Sequence, residues 1–223
     1  MTIQQTNRIL GLGILIMLAL NGMASATDKL GISITDLNTF FPFNFMPPGR
    51  AFMASWGLIY VGLLVFFVFF VRASYKINSP DTDHVRFSKL FATIIGLNIA
   101  WIIATTQQWW IASVIIIMGM MYTLYEIIRH LNQHPSSYSI RGKFSRGIYL
   151  GWITVATVVL GISQIVYSLG TQGVTLVLSN NWTYSILLLG VIKSLGIYYK
   201  IRNPYTLIWS LFALGACTYA AFG

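Results

Sequence analysis

Long stretches without a single charge alternate along this chain with short charged joints. Asp, Glu, Lys and Arg are absent from residues 9–27, 51–71, 90–125, 147–192 and 203–223, windows of 19, 21, 36, 46 and 21 residues. A helix needs roughly 20 mostly apolar residues to cross a bilayer. The first, second and fifth windows each fit one span, and the two long ones fit two apiece. The pattern predicts seven helices, near 8–25, 50–72, 86–106, 109–130, 145–168, 182–200 and 204–222. Thr105-Thr106-Gln107-Gln108 is the polar break in the 36-residue window. Gly170-Thr171-Gln172-Gly173 and Asn180-Asn181 break the longer one, and Asn203-Pro204 separates the last two spans. The runs are solidly apolar, which disfavours a transmembrane β-barrel with its short alternating strands.

Composition agrees. Hydrophobic residues make up 56% of the 223 positions and charged residues only 9%, against about a quarter charged in a soluble domain. A soluble enzyme, a disordered chain and a disulfide-stapled domain are excluded. Cys217 is the single cysteine, so no intramolecular disulfide forms. The net charge of +9 is not a nucleic-acid footprint, because the basic residues border apolar spans and do not cluster on a soluble face. They read as topology signals. The joints before span 1 and after spans 2, 4 and 6 carry Arg8, Arg72, Lys76, Arg86, Lys89, Arg129, Arg141, Lys143, Arg146, Lys200 and Arg202. The opposite joints carry only Lys29 and Arg50, with Lys193 inside span 6. That is 11 against 2, which predicts a cytoplasmic N-terminus and an outer C-terminus.

The first span has two readings on pattern alone. Arg8, an apolar run and Ala24-Ser25-Ala26 suit a retained helix or a cleaved secretory signal. After it, Phe40-Phe41-Pro42-Phe43-Asn44-Phe45-Met46-Pro47-Pro48-Gly49 forms an aromatic, proline-rich connection. The prolines stop a helix, and the phenylalanines need a membrane interface or a protein cavity to cover them.

Groups for catalysis are scarce. Asp81, Asp83 and His84 read as a solvated loop before span 3. Glu126, His130 and His134 share one helix face by their spacing of four and read as a solvated helix end; a metal site is the lesser alternative for each group. None of the spans holds a buried Asp at mid-depth, so a chain of proton carriers is absent. Lys193 lies inside span 6, two turns from Lys200, and its stem is long enough to snorkel; lining a pocket is the alternative. Asn98 and Gln164 are polar side chains within spans. Trp109, Trp110 and Trp182 fit an interfacial belt, whereas Trp56, Trp101 and Trp152 lie deeper, as packing residues or as a flat lining for a planar apolar ligand.

These deeper aromatics carry a resemblance. Pro47-Pro48-Gly49, Phe52, Trp56 and Tyr60 resemble the Pro-Pro-Gly-x-x-Phe-x-x-x-Trp-x-x-x-Tyr pattern that leads into the second helix of the TspO/translocator protein family, the tryptophan-rich sensory proteins. Leu97-Asn98-x-x-Trp101 resembles the family's third-helix motif, and Tyr149-x-x-Trp152-x-x-x-Ala156 its fifth-helix motif. The resemblance covers residues 8–168 and favours a retained first helix. It implies an all-α polytopic membrane bundle: a five-helix TspO-like core within 1–168 and an additional hairpin in 169–223. It also implies an intramembrane aromatic cavity for a hydrophobic planar ligand, lined by Phe52, Trp56, Tyr60, Asn98, Trp101, Tyr149, Trp152 and Ala156, with Phe45, Pro47 and Pro48 at the lid. Arg50 stands where it meets a propionate. Porphyrin or haem would be a reversible ligand and not a fixed cofactor, since the histidines lie toward the cytoplasmic side and firm iron ligation needs an axial ligand. A homodimer is implied as well. Two departures stand out: Phe45 occupies a position where the family often has Trp, and Val159-Leu160 replace a common Leu-Asn.

The expected function is therefore a non-catalytic membrane protein that binds a hydrophobic ligand in a sensory, regulatory or translocating role. The alternatives are a small-solute transporter using Asn98, Gln164 and Lys193, or an assembly protein packing through Gly190 and Ser194 or Ala216 and Ala220.

Overall fold

A computed structural model describes residues 2–37, 49–75, 82–133, 143–168 and 180–222. They form seven α-helices: α1 (Ile3–Ala26), α2 (Gly49–Ser74), α3 (Thr82–Thr106), α4 (Trp110–Gln133), α5 (Lys143–Ser168), α6 (Asn180–Ile201) and α7 (Pro204–Phe222). No strand occurs among the described residues. By length and composition, α1 to α6 each contain a stretch apolar enough to cross a membrane. The uncharged 19-residue α7 reaches about 28 Å at 1.5 Å per residue, close to the hydrocarbon thickness of a bilayer. Phe45, Pro47, Pro48, the break at 170–173 and His134 lie outside the described residues.

The helix ends follow from local chemistry. Thr2 starts α1 with a capping box: its hydroxyl accepts from the Gln5 amide at 3.2 Å, and Gln5 Oε1 accepts from the Thr2 amide at 2.9 Å. The turn after α3 is a Schellman closure, with the Trp109 amide donating to the Ala104 carbonyl at 2.8 Å and the Gln108 amide to Thr105 at 3.1 Å. Gln108 takes the left-handed position at φ 61°. Between α6 and α7, Arg202 turns the chain at φ 55°. Asn203 then caps α7, its Oδ1 accepting from the Tyr205 amide at 3.1 Å, and Pro204 sits at the first helical position, where no donor is needed.

The helices pack in a closed ring in the order α1, α3, α4, α5, α2 and back to α1. The hairpin α6–α7 packs on the outer side of α5, with a lighter contact from α6 to α4. α5 is thus covered from both sides: 83% of its most apolar window is buried, against 22% to 50% in the other five candidate spans. Ile9, Leu12 and Leu15 on α1, Ile111, Ile115 and Met118 on α4, and Leu188, Ile192 and Leu195 on α6 are exposed. At spacings of three to four residues they form outward stripes, the surface that bilayer lipid covers.

Two helix pairs are built differently. α2 and α3 hardly meet through their backbones. Phe66, Phe70, Phe87 and Phe91 stack between them instead, with centroids 5.1–6.3 Å apart. α5 and the parallel α7 meet backbone to backbone. A Cβ on Gly147 would lie 2.6 Å from Tyr205 Cβ, and one on Gly151 would lie 2.5 Å from the Thr206 carbonyl oxygen. Gly147-x-x-x-Gly151 is therefore a small-residue notch that admits α7, and Ser210 Oγ donates across it to the Gly151 carbonyl at 3.2 Å.

Two readings of residues at helix ends need correction. His84 is not in a solvated loop: it lies in the first turn of α3, buried, with its ring stacked on Phe70 at 5.0 Å and 9°. Glu126 and His130 are buried rather than solvated. Arg129 donates to Glu126 at 2.7 Å, and Arg86 reaches the same oxygen at 3.7 Å, because a carboxylate near a membrane boundary needs a cationic partner.

Candidate functional site

Inside the ring, three helices contribute rings to one cluster. Trp56 of α2 stacks on Tyr60 one turn further along, with centroids 5.5 Å apart. It also stacks on Trp101 of α3 at 5.3 Å with the planes 20° apart. Tyr149 of α5 presents to Trp56 at 6.2 Å and 68°, an edge-to-face arrangement that the ring quadrupoles favour. Position dictates this meeting. Trp56 and Tyr60 are four residues apart on one face of α2, as Asn98 and Trp101 are three apart on α3.

Polar atoms of the same residues form a single chain of hydrogen bonds. The Asn21 amide of α1 donates to the Tyr60 hydroxyl. Tyr60 donates to Asn98 Oδ1 at 3.3 Å, and Asn98 Nδ2 donates to the Tyr149 hydroxyl. Ser25 Oγ extends it with a 3.4 Å bond to Asn21 Oδ1. Four of the five ring helices are tied by this relay. Asn98 and Tyr149 are fully buried, where an unmade hydrogen bond is expensive. The indole N–H of Trp101, 1% exposed, has no acceptor among the described residues.

The loop after α1 packs over the end of α3 beside the cluster. Gly31 adopts φ 119°, and a Cβ there would sit 2.0 Å from the Thr106 carbonyl oxygen; only glycine fits. The Ile32 amide donates to that same carbonyl at 3.0 Å, and Gln107 Nε2 donates to the Leu30 carbonyl at 2.6 Å. Residues 30–32 are strapped to the end of α3, and Ile34 and Leu37 are buried beyond them.

Of the residues singled out in the sequence, Trp56, Tyr60, Asn98, Trp101 and Tyr149 are brought together. Trp152 and Ala156 line a void of about 10 Å³ with Val155, Val159, Ala213 and Cys217, between α5 and α7. That is hardly room for one water. Phe52 lies in α2 with its side chain outside the description, as are Phe45, Pro47 and Pro48. Asn21 was not singled out; an amide within the uncharged apolar run of α1 was the available signal.

A family model described as TSPO-like protein matches residues 8–219. The chain belongs to the TSPO-like protein family. No curated protein and no solved structure gives a significant match. In this TSPO-like protein the matched region runs through α6 and α7 as well as the ring, and its helices are those of an integral, multi-pass membrane protein. Lys193 lies half-buried on α6, a helix outside the ring, whereas Asn98 lies inside it. Gln164 is buried on α5, and neither its Oε1 nor its Nε2 has a partner among the described residues. His84, in the first turn of α3, stands 17 positions before Trp101, about 25 Å along the helix.

Proposed function

We propose that this TSPO-like protein reversibly binds a hydrophobic planar ligand of tetrapyrrole type among Trp56, Tyr60, Asn98, Trp101 and Tyr149. The role is sensory, regulatory or translocating. The observation that carries the reading is the near-parallel stack of Trp56 on Trp101 beside a polar relay that crosses four helices. Stacked indoles present flat apolar faces, and a planar ligand entering between them exchanges one aromatic contact for two. The weak backbone contact between α2 and α3 supports such an exchange, because α2 rests on rings that can shift. Trp101 Nε1 and the Asn98–Tyr149 pair supply polar handles that orient a ligand in an otherwise apolar site.

The donor set fits a porphyrin better than a permanently ligated iron. Indoles, phenols and amides bind a macrocycle by stacking and hydrogen bonding, and the phenols of Tyr60 and Tyr149, which are of an axial-ligand type, are engaged in the amide relay. We read the site as binding and not catalytic, since indoles, phenols and amides hold no group poised for proton transfer near neutral pH. The membrane orientation that goes with this proposal places the N-terminus in the cytoplasm and the C-terminus outside, from the excess of Lys and Arg on one set of joints. A homodimer in the membrane is part of the same proposal.

The test is a titration of purified, detergent-solubilised protein with protoporphyrin IX and with haem, followed at the Soret band. Saturable binding is expected, weakened about tenfold by Trp56→Ala. Uptake that rises linearly with detergent and ignores Trp56→Ala is partition into the micelle and overturns the proposal.

A further inference from the structure

A second cavity lies at the opposite end of the bundle from the strapped loop. It is a groove of about 340 Å³ between the first turns of α1 and the first turns of α3, within the size range of small-molecule sites. Its walls include Ile9 and Leu10 of α1 and Val85 and Ala92 of α3. Ile9 is 56% exposed and heads the outward stripe of α1, so the groove borders the surface that lipid covers. Polar groups gather at one side. Ser88, 8% exposed, lines the groove, and its hydroxyl has no hydrogen-bond partner among the described residues. Lys89 lines it too and is exposed, with no ion pair among the described residues. Arg8 adds a second exposed cation at this end.

We infer that this groove is a binding site for an anionic phospholipid of the leaflet on the basic side of the protein. Three observations converge on that occupant: apolar walls open to the lipid surface, a cation at the rim and a buried hydroxyl in the wall, neither of the last two with a partner among the described residues. A phosphate on Lys89 and Ser88 with an acyl chain along Ile9, Leu10 and Ala92 satisfies all three together. A free phosphate leaves the apolar walls uncovered, and a neutral lipid leaves the charge at the rim uncompensated. A basic side chain at such a surface strengthens attraction to anionic lipid by a modest factor, which repeats for each cation. The groove is separate from the aromatic cluster, so its occupant is independent of any planar ligand.

The experiment is native mass spectrometry of the full chain in detergent, titrated with dioleoylphosphatidylglycerol, dioleoylphosphatidylcholine or inorganic phosphate. One saturable phosphatidylglycerol site is expected, with phosphatidylcholine weaker and phosphate unable to compete. Lys89→Gln, an exposed position that leaves the fold alone, should weaken phosphatidylglycerol about fivefold. Ser88→Ala should weaken it by a smaller factor, and Lys200→Gln at α6 should change nothing. Equal retention of both lipids, unmoved by Lys89→Gln, means an annular shell and overturns the inference. Full competition by inorganic phosphate makes it a soluble-anion site and overturns the choice of a lipid. A dimer lost in Lys89→Gln or Ser88→Ala makes a second copy the occupant and also overturns it.

Discussion

The α2–α3 and α5–α7 contacts lie in one bundle and solve the same packing problem in opposite ways. Between α2 and α3 the space is filled by rings: four phenylalanines and then Trp56 on Trp101. Between α5 and α7 the space is removed, because Gly147 and Gly151 bring the backbones together. A glycine notch has one fitting geometry, since any added atom meets a carbonyl or a Cβ. A ring layer has many, since flat side chains slide and tilt at small cost. The binding proposal places the ligand on the adjustable side, and the notch holds α5, the helix that carries Tyr149, fixed while α2 yields.

The most severe way to break this contrast is Gly151→Leu. Its Cβ would fall 2.5 Å from the Thr206 carbonyl oxygen, and neither helix backbone can give way cheaply. A loss above about 3 kcal/mol is expected, read as a collapse in folded yield and unfolding temperature in detergent. On the ring side, Phe87→Leu should cost only about 1–2 kcal/mol although Phe87 is fully buried, because the neighbouring rings can close part of the gap. If the two substitutions destabilise equally, the distinction between fixed and adjustable contacts fails. Tyr149→Phe sharpens it further. It removes the acceptor of Asn98 Nδ2 while keeping the ring against Trp56, and about 1 kcal/mol should be lost, measured by SDS unfolding. The smallest effect belongs to a place outside both interfaces. Glu126→Gln removes a partly solvated pair of contacts to Arg86 and Arg129 and should change stability by less than about 1 kcal/mol.

The sequence disclosed the helices well and the faces poorly. Charge-free windows set the spans to within a few residues, because a span must be apolar over its whole length and its ends are where charges return. The polar break at Thr105–Gln108 proved to be a closed turn. Faces are harder to read than spans, and on α5 a preferred apolar face does not say which neighbour each residue meets. With 83% of its best window buried, the helix has partners on both sides. Nothing in Tyr149-x-x-Trp152 said that Tyr149 meets the amide relay while Trp152 lines the void beside α7. Gly147-x-x-x-Gly151 was in plain view, yet small residues four apart recur by chance along apolar helices. Gly190, noted for the same reason, does meet a neighbour: a Cβ there would lie 2.7 Å from Leu214. His84 and Glu126 were misjudged because charge and polarity at a helix end suggest solvent. A stacked phenylalanine and two arginines supply the environment instead; Phe70 and Arg86 come from other helices, and only Arg129 is a near neighbour in sequence.

The double coverage of α5 also bears on the order in which the molecule is made. A chain emerging from synthesis delivers its helices in sequence, and α7, the partner for the notch on α5, comes two helices after it. Until α7 arrives, Gly147 and Gly151 face lipid with bare backbone, and the helix bearing Tyr149 lacks its outer support. The α6–α7 hairpin is thus expected to act as a latch on a ring that closes without it. A truncation after residue 168 should leave the five ring helices with a lower folded yield in detergent, read by size-exclusion chromatography.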